Sequence, residues 1–440
     1  MDALPAELYA ARRKRVLKAM KRDSVALIAA APPVHRNRDV EYPYRQNSDF
    51  LYLTGLEEPH AIGVLVRKKK AARFLLFLRP FDPAQALWTG PTAGLEGALS
   101  QYGAIEAFPI EQFDSALPAL LKDAERVYYP FAESGSLPAA VDTALRTLAR
   151  ESRGGTRPPR VLADLAPLIH ALRLIKSEEE IARMRRAADV SVAGHRWAMT
   201  VTRPGRLESD IEADLVHRFA AEGLRDLAYP SIVAGGPRAC ILHYTRNDQP
   251  LKAGDLLLID AGAECQGYAS DITRTFPVSG RFSAPQRALY EVVLAAQEAA
   301  IDCVRPGTPW NVPHDTAVEV LTRGLIRLGL LKGKIDTLIR EGDYRRFYMH
   351  RTGHFLGMDV HDVGDYRTPK GWQRLEAGMV LTVEPGLYVA PGQTDIDPAF
   401  EGIGIRIEDD VLVTPEGHEV LTRDLPKTVE AIEALMAERS

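Results

Sequence analysis

The sequence predicts an α/β (α+β) protein of two domains: an N-terminal α/β domain over residues 1–174 and a C-terminal domain over 175–440. Three observations predict it. The chain has 440 residues, more than one hydrophobic core usually organises. Its first 150 residues alternate short apolar runs with helical patterns. Its C-terminal part carries an internal echo. Arg203-Pro204-Gly205 precedes a helical pattern with Ile211, Leu215 and Phe219 on one face, and Arg305-Pro306-Gly307 precedes another with Val318, Leu321, Leu325 and Leu328. Strand-like segments follow each, Leu256–Phe276 and Val380–Thr414, so two αβ halves related by a pseudo-twofold are expected.

The N-terminus, MDALPAELYAARRKRVLKAM, has no apolar stretch behind its basic cluster and reads as an amphipathic helix rather than a signal peptide. Val25–Ala30 reads as a buried strand. Ile62–Arg67 and Phe74–Leu78 flank Lys68-Lys69-Lys70, the pattern of a hairpin with a charged, solvated turn. Residues 151–160, ESRGGTRPPR, are the strongest linker-like stretch, either a linker or a loop inside the first domain. Ser177 and Glu180 form a capping box that opens a helix through Ile181, Met184 and Ala188, which places the domain boundary near Leu174.

Composition narrows the class. Hydrophobic content of 46% and charged content of 26% are those of a soluble globular protein, and no run of 18 apolar residues spans a membrane. A net charge of −4 argues against nucleic acid as a partner. Cys240, Cys265 and Cys303 form no CxxC pair and no even framework, which fits a reducing cytoplasm.

Three of the eleven histidines fall between His350 and His361. Asp260 and Asp271 flank an apparent hairpin. With its turn at Cys265-Gln266 they would stand directly opposite, about 4.5–5.5 Å apart at Cβ. Both lie among apolar residues, and aspartate is disfavoured inside strands. Glu384 ends the apolar strand Val380–Val383, where a carboxylate needs a partner or a metal. Glu408 follows Arg406 at period two, so Arg406 shares its face and can orient it. One histidine and four carboxylates make a hard, oxygen-rich set suited to two Mn²⁺ ions, with Co²⁺, Fe²⁺ or Zn²⁺ as alternatives. His243, His350 and His361 beside such a site can polarise a carbonyl or stabilise an oxyanion. There is no H-E-x-x-H, no Walker sequence, no G-x-S-x-G elbow and no dinucleotide fingerprint.

Asp260, Asp271, His354, Glu384 and Glu408 match, in order and local context, the five ligands of the pita-bread metallopeptidases, and residues 175–440 resemble that family. Glu41–Gly55, Cys240–Tyr244 and His361–Gly364 resemble its members that cleave at Xaa-Pro bonds. Arg351-Thr352, before Gly353-His354, departs from the small or apolar residues more usual there. The resemblance implies a catalytic pita-bread domain behind an N-terminal domain that serves oligomerisation and access to the site. It implies that Asp260 binds one ion, that Asp271 and Glu408 bridge both, and that His354 and Glu384 complete the second. The implied reaction is release of the first residue from peptides with proline second, with Glu384 moving the proton. His243 and His361 would steady the carbonyl, His350 would pack near the proline, Tyr229 and Tyr388 would wall the pocket, and Arg406 would join the substrate-binding residues. Trp88, placed in an N-terminal loop, would serve a neighbouring subunit of a homodimer or tetramer. Two rival readings are a dipeptide-only prolidase and an inactive peptide-binding scaffold.

Overall fold

The computed structural model describes residues 4–69, 71–133 and 135–438. The chain divides into two compact units that meet between Arg173 and Leu174. Among the described residues no helix is long and apolar enough to cross a membrane.

The first unit is built on a mixed six-stranded sheet. Its strands are β1 (Ser24–Ala29), β2 (Ile62–Lys68), β3 (Ala71–Leu78), β4 (Glu106–Pro109), β5 (Arg126–Tyr129) and β6 (Val161–Asp164), in spatial order β4-β3-β2-β1-β5-β6. β1 is buried along most of its length, which accounts for its unbroken apolar run. Helices α4 (Phe113–Leu121) and α5 (Leu137–Arg150) cover the sheet with Phe113, Leu117 and Leu121 and with Val141, Ala144 and Leu148. The N-terminal segment forms α1 (Ala6–Ala19), whose buried side includes Arg12 and Arg13; their guanidiniums donate to the Tyr52 and Leu53 carbonyls. Lys68 pairs with Ala71 across the expected hairpin, and Lys70 lies outside the described residues.

Of the two readings of residues 151–160, the loop inside the first domain is the one found: the stretch leaves α5 as a single 3-10 turn and leads into β6. Trp88 is not in a loop but on α3 (Pro83–Thr89), a seven-residue helix capped by Asp82, where it is 86% exposed. Earlier in the chain, α2 (Ser48–Thr54), capped by Asn47, carries the buried Asp49, which accepts from Arg173 at 2.7 Å and from His170 at 3.0 Å. Burial raises the Asp49 pKa, but these two partners outweigh it and hold it below the usual carboxylate value.

The second unit repeats a helix–helix–strand order. α6 (Glu178–Val201) and α7 (Glu208–Ala221) precede β7 (Ile232–Gly235), β8 (Leu256–Asp260) and β9 (Thr273–Pro277). α8 (Ala284–Asp302) and α9 (Asn311–Arg327) precede β10 (Val380–Val383), β11 (Gly386–Val389), β12 (Ile403–Arg406) and β13 (Asp409–Val413). The capping box at Ser177 is formed. Ile211, Leu215, Phe219, Val318, Leu321 and Leu325 join one core with Leu257, Ile259 and Phe276, and Leu328, at the C-cap of its helix, packs against it partly buried.

The hairpin carrying the two aspartates differs in register from the expectation. Cys265 pairs with Tyr268, and Asp260 pairs with Thr273 rather than Asp271. The turn is Gln266-Gly267, both with positive φ, as a two-residue primed turn requires. Asp271 is thus the diagonal neighbour of Asp260, and an offset of two residues keeps both on one face. Gly262 permits the approach of the two segments: a Cβ there would lie 1.8 Å from the Ser270 carbonyl oxygen. Gly262→Ala should therefore spread the hairpin and destabilise the protein by about 1–3 kcal/mol. A denaturant midpoint equal to that of the parent would refute the close approach.

Candidate metal centre

Each half supplies carboxylates to one buried cluster. Asp260 ends β8, Asp271 precedes β9, Glu384 follows β10, and Glu408 lies between β12 and β13. His354 is fixed by its backbone: Thr382 N–H donates to its carbonyl at 2.9 Å, and the same segment continues with Glu384 N–H donating to the Thr352 carbonyl at 2.7 Å. Gly353 makes that contact possible, since a Cβ there would sit 1.9 Å from the Thr382 carbonyl oxygen. His354 Nδ1 lies 3.0 Å from the Phe355 carbonyl, so Nε2 is turned to the carboxylates, 3.4 Å from Asp271 and 3.9 Å from Glu384.

Asp271, His354 and Glu408 bring ligand atoms within 4.8 Å of one another. Asp260 joins this group through the Tyr229 hydroxyl, which lies 2.6 Å from Asp260 Oδ1 and also reaches Asp271 Oδ1. Thr273, opposite Asp260 in the ladder, donates to Glu408 Oε2 at 2.6 Å.

Arg406 brings a guanidinium to the cluster, and it pairs with Asp260 rather than Glu408. Its Nη2 donates to Asp260 at 2.6 Å, its Nη1 to Tyr388 at 3.0 Å and its Nε to Thr273 at 3.1 Å. Tyr388 is 1% exposed and is not among the residues that line the cavity. Its hydroxyl instead ties Arg406 to His350 Nε2, 2.8 Å away.

Burial and like charge act together on the carboxyls of the cluster. Burial, with Asp271 and Glu384 beside it, pushes Glu408 well above the usual carboxylate value. Burial raises Glu384 to about 7, although the charges of His354 and Arg406 pull the other way. Asp260 is raised by burial and opposed by Arg406. Such a set is short of positive charge, and its donors are four hard carboxylates and one imidazole with no thiol among them. The residues fit a hard divalent cation.

The cluster forms one wall of a cavity of about 700 Å³. Tyr229, His243, His350 and His361 share the lining, and the His361 ring packs 4.2 Å from that of His354. Burial and the Arg406 charge depress the His350 pKa to about 3, so His350 is neutral. Several lining groups were not singled out from the sequence: Trp310, Asn311 and His314 from the start of α9, and Tyr366 and Trp372 from the segment after His361. Thr352, half of the atypical Arg351-Thr352 pair, connects His314 at 2.8 Å to Tyr348 at 2.6 Å.

A helix–helix–strand repeat enclosing a buried carboxylate–histidine cluster defines a metallopeptidase, and the chain belongs to metallopeptidase family M24, whose model matches residues 182–415. Residues 9–128 match the aminopeptidase P N-terminal domain. The chain is 45% identical over 437 residues to the Xaa-Pro aminopeptidase of Haemophilus influenzae, covering 99% of this chain and 98% of that protein. It is 42% identical to the Xaa-Pro aminopeptidase of Escherichia coli, covering 99% of each. The solved structure of Pseudomonas aeruginosa aminopeptidase PepP is 50% identical and superposes with a TM-score of 0.97 over 99% of both chains.

Proposed function

We propose that the protein is a dinuclear-metal aminopeptidase that releases the N-terminal residue from peptides with proline in second position. The observation that carries this reading is that the acidic cluster and four further histidines, His243, His314, His350 and His361, share one cavity. Full-length similarity to Xaa-Pro aminopeptidases supports it over a prolidase or an inactive scaffold. The Escherichia coli aminopeptidase P, 42% identical, has been solved with the inhibitor Pro-Leu.

Asp260, Asp271, His354, Glu384 and Glu408 would hold the metal, and their hard donors favour two Mn²⁺ per chain over Co²⁺, Fe²⁺ or Zn²⁺. Bound there, the metal supplies Lewis acidity and makes hydroxide available near neutral pH. The rest of the chemistry belongs to side chains. Glu384 takes a proton from the attacking water and returns it to the prolyl nitrogen, a leaving group that carries no proton of its own in the peptide bond. His243 and His361 face the cavity and donate to the oxygen of the scissile carbonyl as negative charge develops. His350, with Nδ1 on the Arg351 carbonyl and Nε2 on Tyr388, keeps both ring nitrogens engaged and offers its ring to the proline. Tyr229 lines the cavity and holds Asp260 and Asp271 in register. Arg406 has its donors committed to protein groups, so we assign it to fixing Asp260 more than to contacting substrate.

We further infer a cytoplasmic homo-oligomer. Three free thiols support the compartment. The exposed Leu87 and Trp88 on α3 support the assembly, in which the N-terminal unit would present Trp88 to a second copy and shape access to its cleft.

The metal-loaded enzyme should release arginine from Arg-Pro-Pro and also act on Gly-Pro. Cleavage of the dipeptide alone would make it a prolidase, and cleavage of neither would leave the scaffold reading standing.

A further inference from the structure

His243 sits on a segment with little structure of its own. After β7 the chain makes one 3-10 turn, Gly236–Cys240, and forms no further helix or strand until β8 begins at Leu256. A loop of this kind holds a side chain in place only if something else fixes its backbone.

That role falls to Glu208, the first residue of α7, which is fully buried. Its Oε1 accepts from Gly235 N–H at 2.8 Å and from Arg238 Nε at 2.7 Å. Its Oε2 accepts from the Tyr244 hydroxyl at 2.8 Å and from Gln249 N–H at 3.0 Å. One carboxylate thus binds the segment at its start, at the residue next to His243, and at its end. All four acceptor positions of a carboxylate are used. Asn247, with φ of +48°, adds a second tie by bonding Val233 N–H and the Ser231 carbonyl. Glu208 neither lines the cavity nor belongs to the acidic cluster. Arg238 balances its charge, and its place in the first turn of a helix favours an anion.

We propose that Glu208 is a positioning residue for the cleavage reaction: its four-way carboxylate clamp on residues 235–249 sets where His243 meets the substrate. The proposal rests on the role given to His243 in the proposed function. It also explains why the residue must be an anion. Glutamine has the same shape, but its amide nitrogen would face either Gly235 and Arg238 or Gln249, and all of these are donors.

The test is a double-mutant cycle on the metal-loaded, full-length enzyme with Arg-Pro-Pro as substrate. Glu208→Gln should lower kcat by about 10–100-fold with KM changed by no more than about threefold, the size expected for a misplacement near 1 Å. Bound metal should be unchanged. In a His243→Ala background the same substitution should cost no more than about twofold, because both act through one contact. Where His243→Ala is too slow to follow at steady state, the same cycle is read from single-turnover rates with the enzyme in excess of Arg-Pro-Pro. Tyr244→Phe removes a single donor and serves if Glu208→Gln fails to fold; it should lower kcat by roughly 3–10-fold, with the same disappearance in the His243→Ala background. Equal losses with and without His243, or losses that only track metal content, would overturn the proposal. So would full turnover in Tyr244→Phe. A parent enzyme that cleaves no Xaa-Pro bond would instead sink the proposed function itself.

Discussion

Glu384→Ala is expected to lower kcat on an Xaa-Pro peptide by about 10³-fold or more, beyond any loss of bound metal, since positioned proton transfer alone contributes about 10²–10⁴-fold. The size follows from its surroundings. The side chain ends a buried strand, faces the cavity, and has His354 at 3.9 Å and His350 at 3.8 Å as its nearest basic neighbours. Either imidazole is engaged elsewhere: Nδ1 of each lies against a main-chain carbonyl. No other carboxylate of the cluster has the same freedom, because Asp260 is bound by Arg406, Asp271 by Tyr229 and Glu408 by Thr273. Glu384→Gln separates proton transfer from shape, because it keeps the volume and one oxygen. Metal content measured by mass spectrometry alongside kcat decides the matter. A Glu384→Ala enzyme that turns over at the parent rate would remove the residue from the mechanism.

Metal removal should have the second large effect, and it should depend on pH. In the metal-free protein burial raises Glu384 from 4.5 to about 7. His354 moves from 6.5 to about 9: burial lowers it, but its hydrogen bond to Asp271 and the charges of Asp271 and Glu384 prevail. Both groups hold protons more tightly folded than unfolded. Each therefore stabilises the fold at low pH, and the contribution is lost as pH rises, from 4.5 through about 7 for Glu384 and from 6.5 through about 9 for His354. The metal-free protein should thus lose a few kcal/mol of stability between those limits. Metal must displace the same protons, so its affinity should rise with pH over the same range. Loading should stabilise by about 4 kcal/mol at a thousandfold excess over Kd. Thermal melts across pH, and titration calorimetry in two buffers of different ionisation heat, test this. A metal-free protein that grows more stable with pH, or fewer than one metal bound per chain, would refute it.

Much of the centre was legible because its residues break local rules. Aspartate inside strands, glutamate at the end of an apolar run and three crowded histidines are each costly without a partner, so they stood out singly. What could not be read was how side chains pair across strands. Gly267 was the available sign of the true turn, yet centring the turn one residue early made Asp260 and Asp271 directly opposed instead of diagonal. Arg406 was read with Glu408 because the two are close in sequence. It pairs instead with Asp260 through the fold, and Gly386 is its ladder partner. The burial of Tyr388, two residues on from Gly386, against His350 leaves no trace in the sequence. Trp310 and His314 come from the start of a helix whose pattern records only its core-facing side. In the first unit, α3 is too short and too exposed to show a helical period, so Trp88 read as loop. The domain order survived all of this because it depends on periodicity summed over many residues.

The carboxylates arrive from distant parts of the chain, from residue 260 to residue 408, and Thr273 and Arg406 join these parts into one cluster. Contacts that close such long loops form late in folding. During synthesis Asp260 and Asp271 leave the ribosome well before Glu384, Arg406 and Glu408 exist. A nascent chain that ends before residue 384 therefore holds only part of the cluster. A divalent cation held by all five residues would need both halves of the second unit in place.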